Sequence, residues 1–216
     1  MKAASVAPEH ILIFGSPGSG KSHGAAEIAR YHRQRSSTAH FHVLSTEVGT
    51  WERIAESYPK SDTDPGMATN VTIHPCNDWL SFVKAIETFR DDLTPGDWVI
   101  IDELGSPWQW IRDYWTETRP GYTPPDPLNP FDVAEAEFNA DAWTKIKAPY
   151  YRALNSLLHS PAHIYACAHE DDLRVEGGWK SADETISVFK YVGMKAVTEK
   201  TAPYSFASVL WARRTG

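Results

Sequence analysis

The chain has 216 residues, 42% of them hydrophobic and 23% charged, the balance of one globular domain large enough to bury its own core. A formal net charge of −7 argues against a surface that binds nucleic acid over its whole extent. No apolar run approaches the ~20 residues of a bilayer crossing, so no membrane association is expected. Cys76 and Cys167, in a chain without an apolar leader after Met1, read as reduced thiols of a cytoplasmic protein.

No repeat of 20–50 residues is visible, which excludes solenoids and propellers. His10–Phe14 (HILIF) is a short apolar run ending at Gly15 and reads as a buried strand. Lys21–Arg35 follows as a helix, with Ala25, Ile28, Ala29 and His32 at helical spacing. Phe41–Ser45 is a second strand and Val71–His74 a third. Asn77 or Asp78 then caps a helix that repeats Trp79, Phe82, Val83, Ile86, Phe89 and Leu93 on one face until Pro95–Gly96 stops it. Trp98–Asp102 (WVIID) lacks polar alternation, as expected of a strand covered on both faces.

Five prolines and a glycine in 119–131 forbid regular structure and predict an extended loop. A long helix is expected from about Asn139 to Leu158, kinked at Pro149. His163–Ala168 is the next buried strand, and the polar stretch 170–185, with Gly177–Gly178, is expected to be mobile. Ile186–Val197 and Ser205–Ala212 read as further strands. The β-α-β-α order predicts one α/β domain over 1–216, with a mostly parallel central sheet flanked by helices on both faces and antiparallel strands at the C-terminal edge.

Residues 15–22, Gly15-Ser16-Pro17-Gly18-Ser19-Gly20-Lys21-Ser22, satisfy the phosphate-loop pattern in full. Such a loop curls its backbone N–H groups round the phosphates of ATP, and the following helix adds its positive end. Lys21 is expected on the β- and γ-phosphates, and the Ser22 hydroxyl on Mg²⁺. Asp102 closes an apolar strand beside that loop and is the expected second metal-side ligand. Glu103 and Glu47 compete for the part of the base that activates water. His169, directly after the HIYACA strand, is placed to respond to the γ-phosphate. Trp51 reads either as core or as a platform for adenine.

Together GSPGSGKS, HVLSTE (42–47), WVIIDE (98–103), the helix 141–158, HIYACAHE (163–170) and the tail 193–211 resemble the RecA/RadA-like P-loop ATPase core. The similarity is greatest to the short phage-type single-strand annealing ATPases. That resemblance implies hydrolysis of ATP, side-by-side homo-oligomers and single-stranded DNA as partner, in recombination, annealing or replication. It selects Glu47 as the catalytic glutamate and makes His169 the coupling residue. It nominates Lys195 and Lys200 as lysines acting on a neighbour's γ-phosphate. It also implies DNA contact by loops at Trp108–Phe131 and Asp171–Glu184, where Trp108, Trp110, Tyr114, Trp115 and Tyr122 either stack bases or serve as core. Here the second loop departs from the family by being acidic. A nucleotide-gated scaffold and a small-molecule kinase are the readings without DNA; the chain has no Arg-rich lid for the latter.

Overall fold

The computed structural model of the protein describes residues 7–35, 38–47, 49–57, 70–118, 140–172, 174–175, 178–179 and 193–213. Strands β1 (His10–Gly15), β2 (Phe41–Ser45), β3 (Val71–Pro75), β4 (Trp98–Asp102) and β5 (His163–Asp172) alternate with helices α1 (Lys21–Gln34), α2 (Thr50–Ser57), α3 (Trp79–Phe89), α4 (Gly105–Thr118) and α5 (Ala140–Leu158). Short strands β6 (Arg174–Val175), β7 (Gly178–Trp179) and β8 (Met194–Ala196) and the edge strand β9 (Ser208–Ala212) complete the chain.

The main sheet has the order β3-β2-β4-β5-β1-β9, all parallel, with β8 pairing antiparallel to the far end of β5. Alternation along the strands sorts their side chains into two cores. Leu12, Leu44, Ile101, Ile164 and Ala166 meet Phe82, Ile86, Ile146 and Leu157 of α3 and α5 on one face. Phe41, Val43, Ile100 and Cys167 meet Ala25, Ala29, Trp51 and Ile54 of α1 and α2 on the other. Two covered faces explain why WVIID shows no polar alternation: all five residues are buried. Asp78 caps α3 by accepting from the Ser81 backbone, and the Ser81 side chain returns the bond to the Asp78 N–H. No helix among the described residues is long and apolar enough to cross a membrane.

Four expectations change. Among the described residues, β8 is the antiparallel strand of the main sheet, β6 and β7 pair antiparallel apart from it, and β9 at the edge runs parallel to β1. Residues 108–118, expected in a DNA-contacting loop, are helical, and Trp108 stacks on Trp143 and meets Tyr150 edge-on within the core. Trp110 and Trp115 pack against the same core. Asp171 and Asp172, expected in the mobile segment, extend β5, because β8 supplies a pairing partner. Of the strand expected at 186–197, the described part is Met194–Ala196. The Pro-rich segment 119–131, Tyr122 within it, and 180–185 lie outside the described residues. The long helix continues on both sides of Pro149.

Candidate nucleotide site

The loop between β1 and α1 bends at Gly18 and Gly20, whose φ angles of 75° and 90° lie in the left-handed region that a Cβ disfavours. Gly24 N–H bonds back to Gly20 O at 2.8 Å, closing the first turn of α1. Lys21 is 7% exposed, and its Nζ donates to Gly15 O at 2.8 Å and Ser16 O at 3.0 Å. A buried ammonium held by carbonyls of the loop it should serve is a cation prepared for an anion. Ser19 Oγ is buried without a partner in the same loop. These are the features of a cradle for a phosphate chain, and the residues fit the phosphates of a nucleotide.

Asp102 lies at the carboxyl end of β4, 3% exposed, in register with Ser45 of β2. Its Oδ2 accepts from Trp51 Nε1 at 2.8 Å. Trp51 is fully buried in the core beneath α2, so the adenine-platform reading fails. Ser22 and Asp102 line one cleft of about 410 Å³, with Gly18, Gly20 and Lys21 on one wall. A hydroxyl and a carboxylate opposite a phosphate cradle suit Mg²⁺, a hard cation bound through oxygen.

Glu47 and Glu103, just past the ends of β2 and β4, and His169, within β5, line the same cleft. His169 Nε2 lies 3.0 Å from Glu103 Oε2 and 3.4 Å from Glu47 Oε1. The ligand-type atoms of the three side chains fall within 4.8 Å of one another. Glu103 is the more enclosed, its side chain 13% exposed against 44% for Glu47. Thr46 Oγ1 accepts from the Glu103 N–H at 2.7 Å, and Ser106 Oγ donates to Glu103 Oε1 at 3.3 Å. Burial raises the Glu103 carboxyl above its ordinary range, the neighbouring Glu47 charge adds to that rise, and His169 opposes it. Glu47 keeps an open side, steadied by Thr50 Oγ1, which donates to Oε2 at 3.2 Å, and by His169 at Oε1.

Of the expected site residues, Pro17, Gly18, Gly20, Lys21, Ser22, Glu47, Asp102, Glu103 and His169 line one cleft, while Gly15, Ser16 and Ser19 belong to the loop behind it. Lys195 and Lys200 do not line it; Lys195 sits opposite Asp171 across the β5–β8 pair, Nζ to Oδ2 3.9 Å. Sequence reasoning passed over α2, which lends Thr50, Arg53, Ile54 and Ser57 to the cleft. The signal was present: Thr50, Ile54 and Ser57 share one helical face straight after Gly49.

Residues 7–203 match the family model described as the AAA domain. The chain belongs to the AAA domain family. No curated protein matches its sequence. Among solved structures this AAA-domain chain is similar to a RadB recombinase, with a TM-score of 0.50 and 14% identity, over 95% of this chain and 74% of that one. At that identity the likeness speaks for the fold, which is the RecA-like P-loop ATPase core.

Proposed function

We propose that the protein binds ATP with Mg²⁺, hydrolyses it, and uses the nucleotide state to control binding of single-stranded DNA. One observation carries this reading: the phosphate loop, Asp102 and the Glu47–His169–Glu103 group converge on a single cleft. Ser22 and Asp102 would hold the Mg²⁺, whose chemistry is to neutralise phosphate charge. Lys21 leaves the loop carbonyls for the β- and γ-phosphates, and the loop N–H groups orient the chain of phosphates. Glu47, the carboxylate with an open face, orients the attacking water and takes up its proton. Glu103 and His169 hold Glu47 in place. In Glu47→Gln, ATP binding persists while turnover falls roughly 10²–10⁴-fold. If Glu103→Gln is the more damaging change, the two carboxylates exchange roles. If neither slows turnover, hydrolysis at this site is refuted.

Coupling to DNA follows from continuity of the chain. β5 carries His169 directly into Glu170–Asp172, and Val197 N–H bonds to His169 O, so a shift at His169 reaches β8 and the end of β5 that pairs with it. Homo-oligomers of the kind the family resemblance implies would align several such segments on one strand. The acidic run Glu170–Asp172 favours the competing reading of a nucleotide-gated scaffold. Titration of fluorescent single-stranded DNA with ATP, with ADP and without nucleotide, at two salt concentrations, separates the two. Tighter binding with ATP supports the DNA reading, and no binding at low salt supports the scaffold.

A further inference from the structure

Three histidines gather on the two outermost strands at the β3 end of the sheet, away from the cleft. His40 and His42 are two apart at the start of β2, so strand alternation puts both imidazoles on one face. Phe41 between them points the other way, fully buried in the core formed with α1 and α2. On the neighbouring β3, His74 stands opposite Leu44, one step diagonal from His42. His42 Nδ1 and His74 Nε2 approach to 3.2 Å. The ring centroids of His40 and His42 are 4.7 Å apart, and those of His42 and His74 are 5.5 Å apart. Phe89 of α3 stacks on His42 at 4.4 Å and meets His74 at a tilt at 4.9 Å, packing against both rings.

We propose that His40, His42 and His74 form a binding site for a divalent transition metal ion of the Zn²⁺ or Cu²⁺ class, with one coordination position left to water. Two nitrogens at ~2.0–2.1 Å from a tetrahedral ion lie roughly 3.3 Å apart, close to the separation of His42 Nδ1 and His74 Nε2. Three histidines with a fourth position open to water are a ligand set that Zn²⁺ accepts. The third nitrogen comes from His40, whose Nε2 lies 2.8 Å from Thr72 Oγ1. Turning His40 toward the pair exchanges that contact for the ion and frees the Thr72 hydroxyl to orient a ligand from the second layer. All three imidazoles are half-buried.

The electrostatics agree with the geometry. Burial and the two neighbouring imidazoles push His42 down to about 4, and burial with His40 lowers His74, so neither ring carries a charge that would repel an ion at neutral pH. No ion pair joins these histidines to a carboxylate among the described residues. The nearest acid named in their electrostatics, Asp97, spends its oxygens on the His40 N–H and on Thr94. A bound ion would clip the edge strand β3 to β2, replacing a single imidazole–imidazole hydrogen bond.

The test uses the full untagged chain, stripped of metal and free of nucleotide, titrated with Co²⁺ as optical probe and then with Zn²⁺. The expected result is one equivalent of tetrahedral Co²⁺ per chain, displaced by Zn²⁺, with a rise in melting temperature. His40→Gln, His42→Gln and His74→Gln should each weaken binding by at least the roughly 10–100-fold that loss of an outer-layer partner costs. His169→Gln, in the cleft, should leave the Co²⁺ spectrum intact. Absence of a tetrahedral spectrum at stoichiometric Co²⁺ overturns the proposal. So does a spectrum lost in His169→Gln and kept in the other three variants, which places the ion in the cleft. Because His42 packs on Phe89 and its variant can misfold, carbethoxylation of the native chain supplies a second readout. Zn²⁺ should shield His42 and His74 from modification, and equal labelling with and without Zn²⁺ rejects the site.

Discussion

Asp102 is a buried carboxylate whose Oδ2 is committed to Trp51 Nε1, and this pairing sets which of its oxygens is left for the cleft. Trp51→Phe keeps an aromatic ring in the core and removes the donor. We expect a loss of about 1–3 kcal/mol in folding stability from the unsatisfied carboxylate, read in urea melts. The Mg²⁺ concentration for half-maximal ATP binding should rise as well, because an unrestrained Asp102 no longer presents one fixed oxygen. A purely structural tryptophan would change the melt and leave the Mg²⁺ dependence alone. Glu47 and Glu103 teach a related lesson. Their types and positions were readable as alternatives, yet their meeting across His169 depends on β2, β4 and β5 lying side by side, which no local pattern reports.

At the scale of elements, α5 is fastened by a charged knot. Glu199, 1% exposed, accepts from Lys147 Nζ at 2.8 Å, from Tyr151 OH, and from the Thr201 and Ala202 N–H groups. These partners hold its carboxyl down at about 2 against the cost of burial. The knot ties α5 to the turn after β8, whose Val197 N–H bonds to His169 O. Glu199→Gln should cost about 1–3 kcal/mol and lower turnover through a displaced His169, measured by melts and a steady-state assay. Leu154→Ala, in the core of the same helix, should cost about 2–5 kcal/mol without a separate effect on turnover. The long elements were legible because Trp79, Phe82, Ile86 and Phe89 recur at helical spacing and WVIID is uniformly apolar. For helix α4 the helical spacing of Trp108, Ile111 and Trp115 pointed to core, while the family resemblance pointed to a loop running into the prolines of 119–131, and the spacing was the better guide. Helix α2 was missed because eight residues make too short a pattern. The direction of β9 depended on β8, only three residues long.

Across the whole molecule, burial depresses His10, His32, His42, His74 and His163, with His42 down at about 4. A histidine whose folded pKa lies below its unfolded value of ~6.5 leaves the unfolded chain to bind protons first as pH falls. Stability should therefore be full above about pH 6.5 and decline toward pH 4, and Glu199 should add a further loss from about pH 4.5 toward pH 2. Glu103, raised by burial, works in the opposite direction but is one group against five. Urea midpoints measured in chelator should be lower at pH 5 than at pH 7.5, and His42→Gln should flatten the difference. A midpoint that rises on acidification would contradict this. The most direct test of the nucleotide site is a calorimetric titration of ATP with Mg²⁺ into the native chain and into Lys21→Ala. One site per chain is predicted for the native protein, with affinity lowered roughly 10–100-fold in the variant, since a charged hydrogen bond is worth about 1.5–3 kcal/mol. Equal affinity in the two proteins would mean that the loop from Gly15 to Ser22 does not hold the triphosphate.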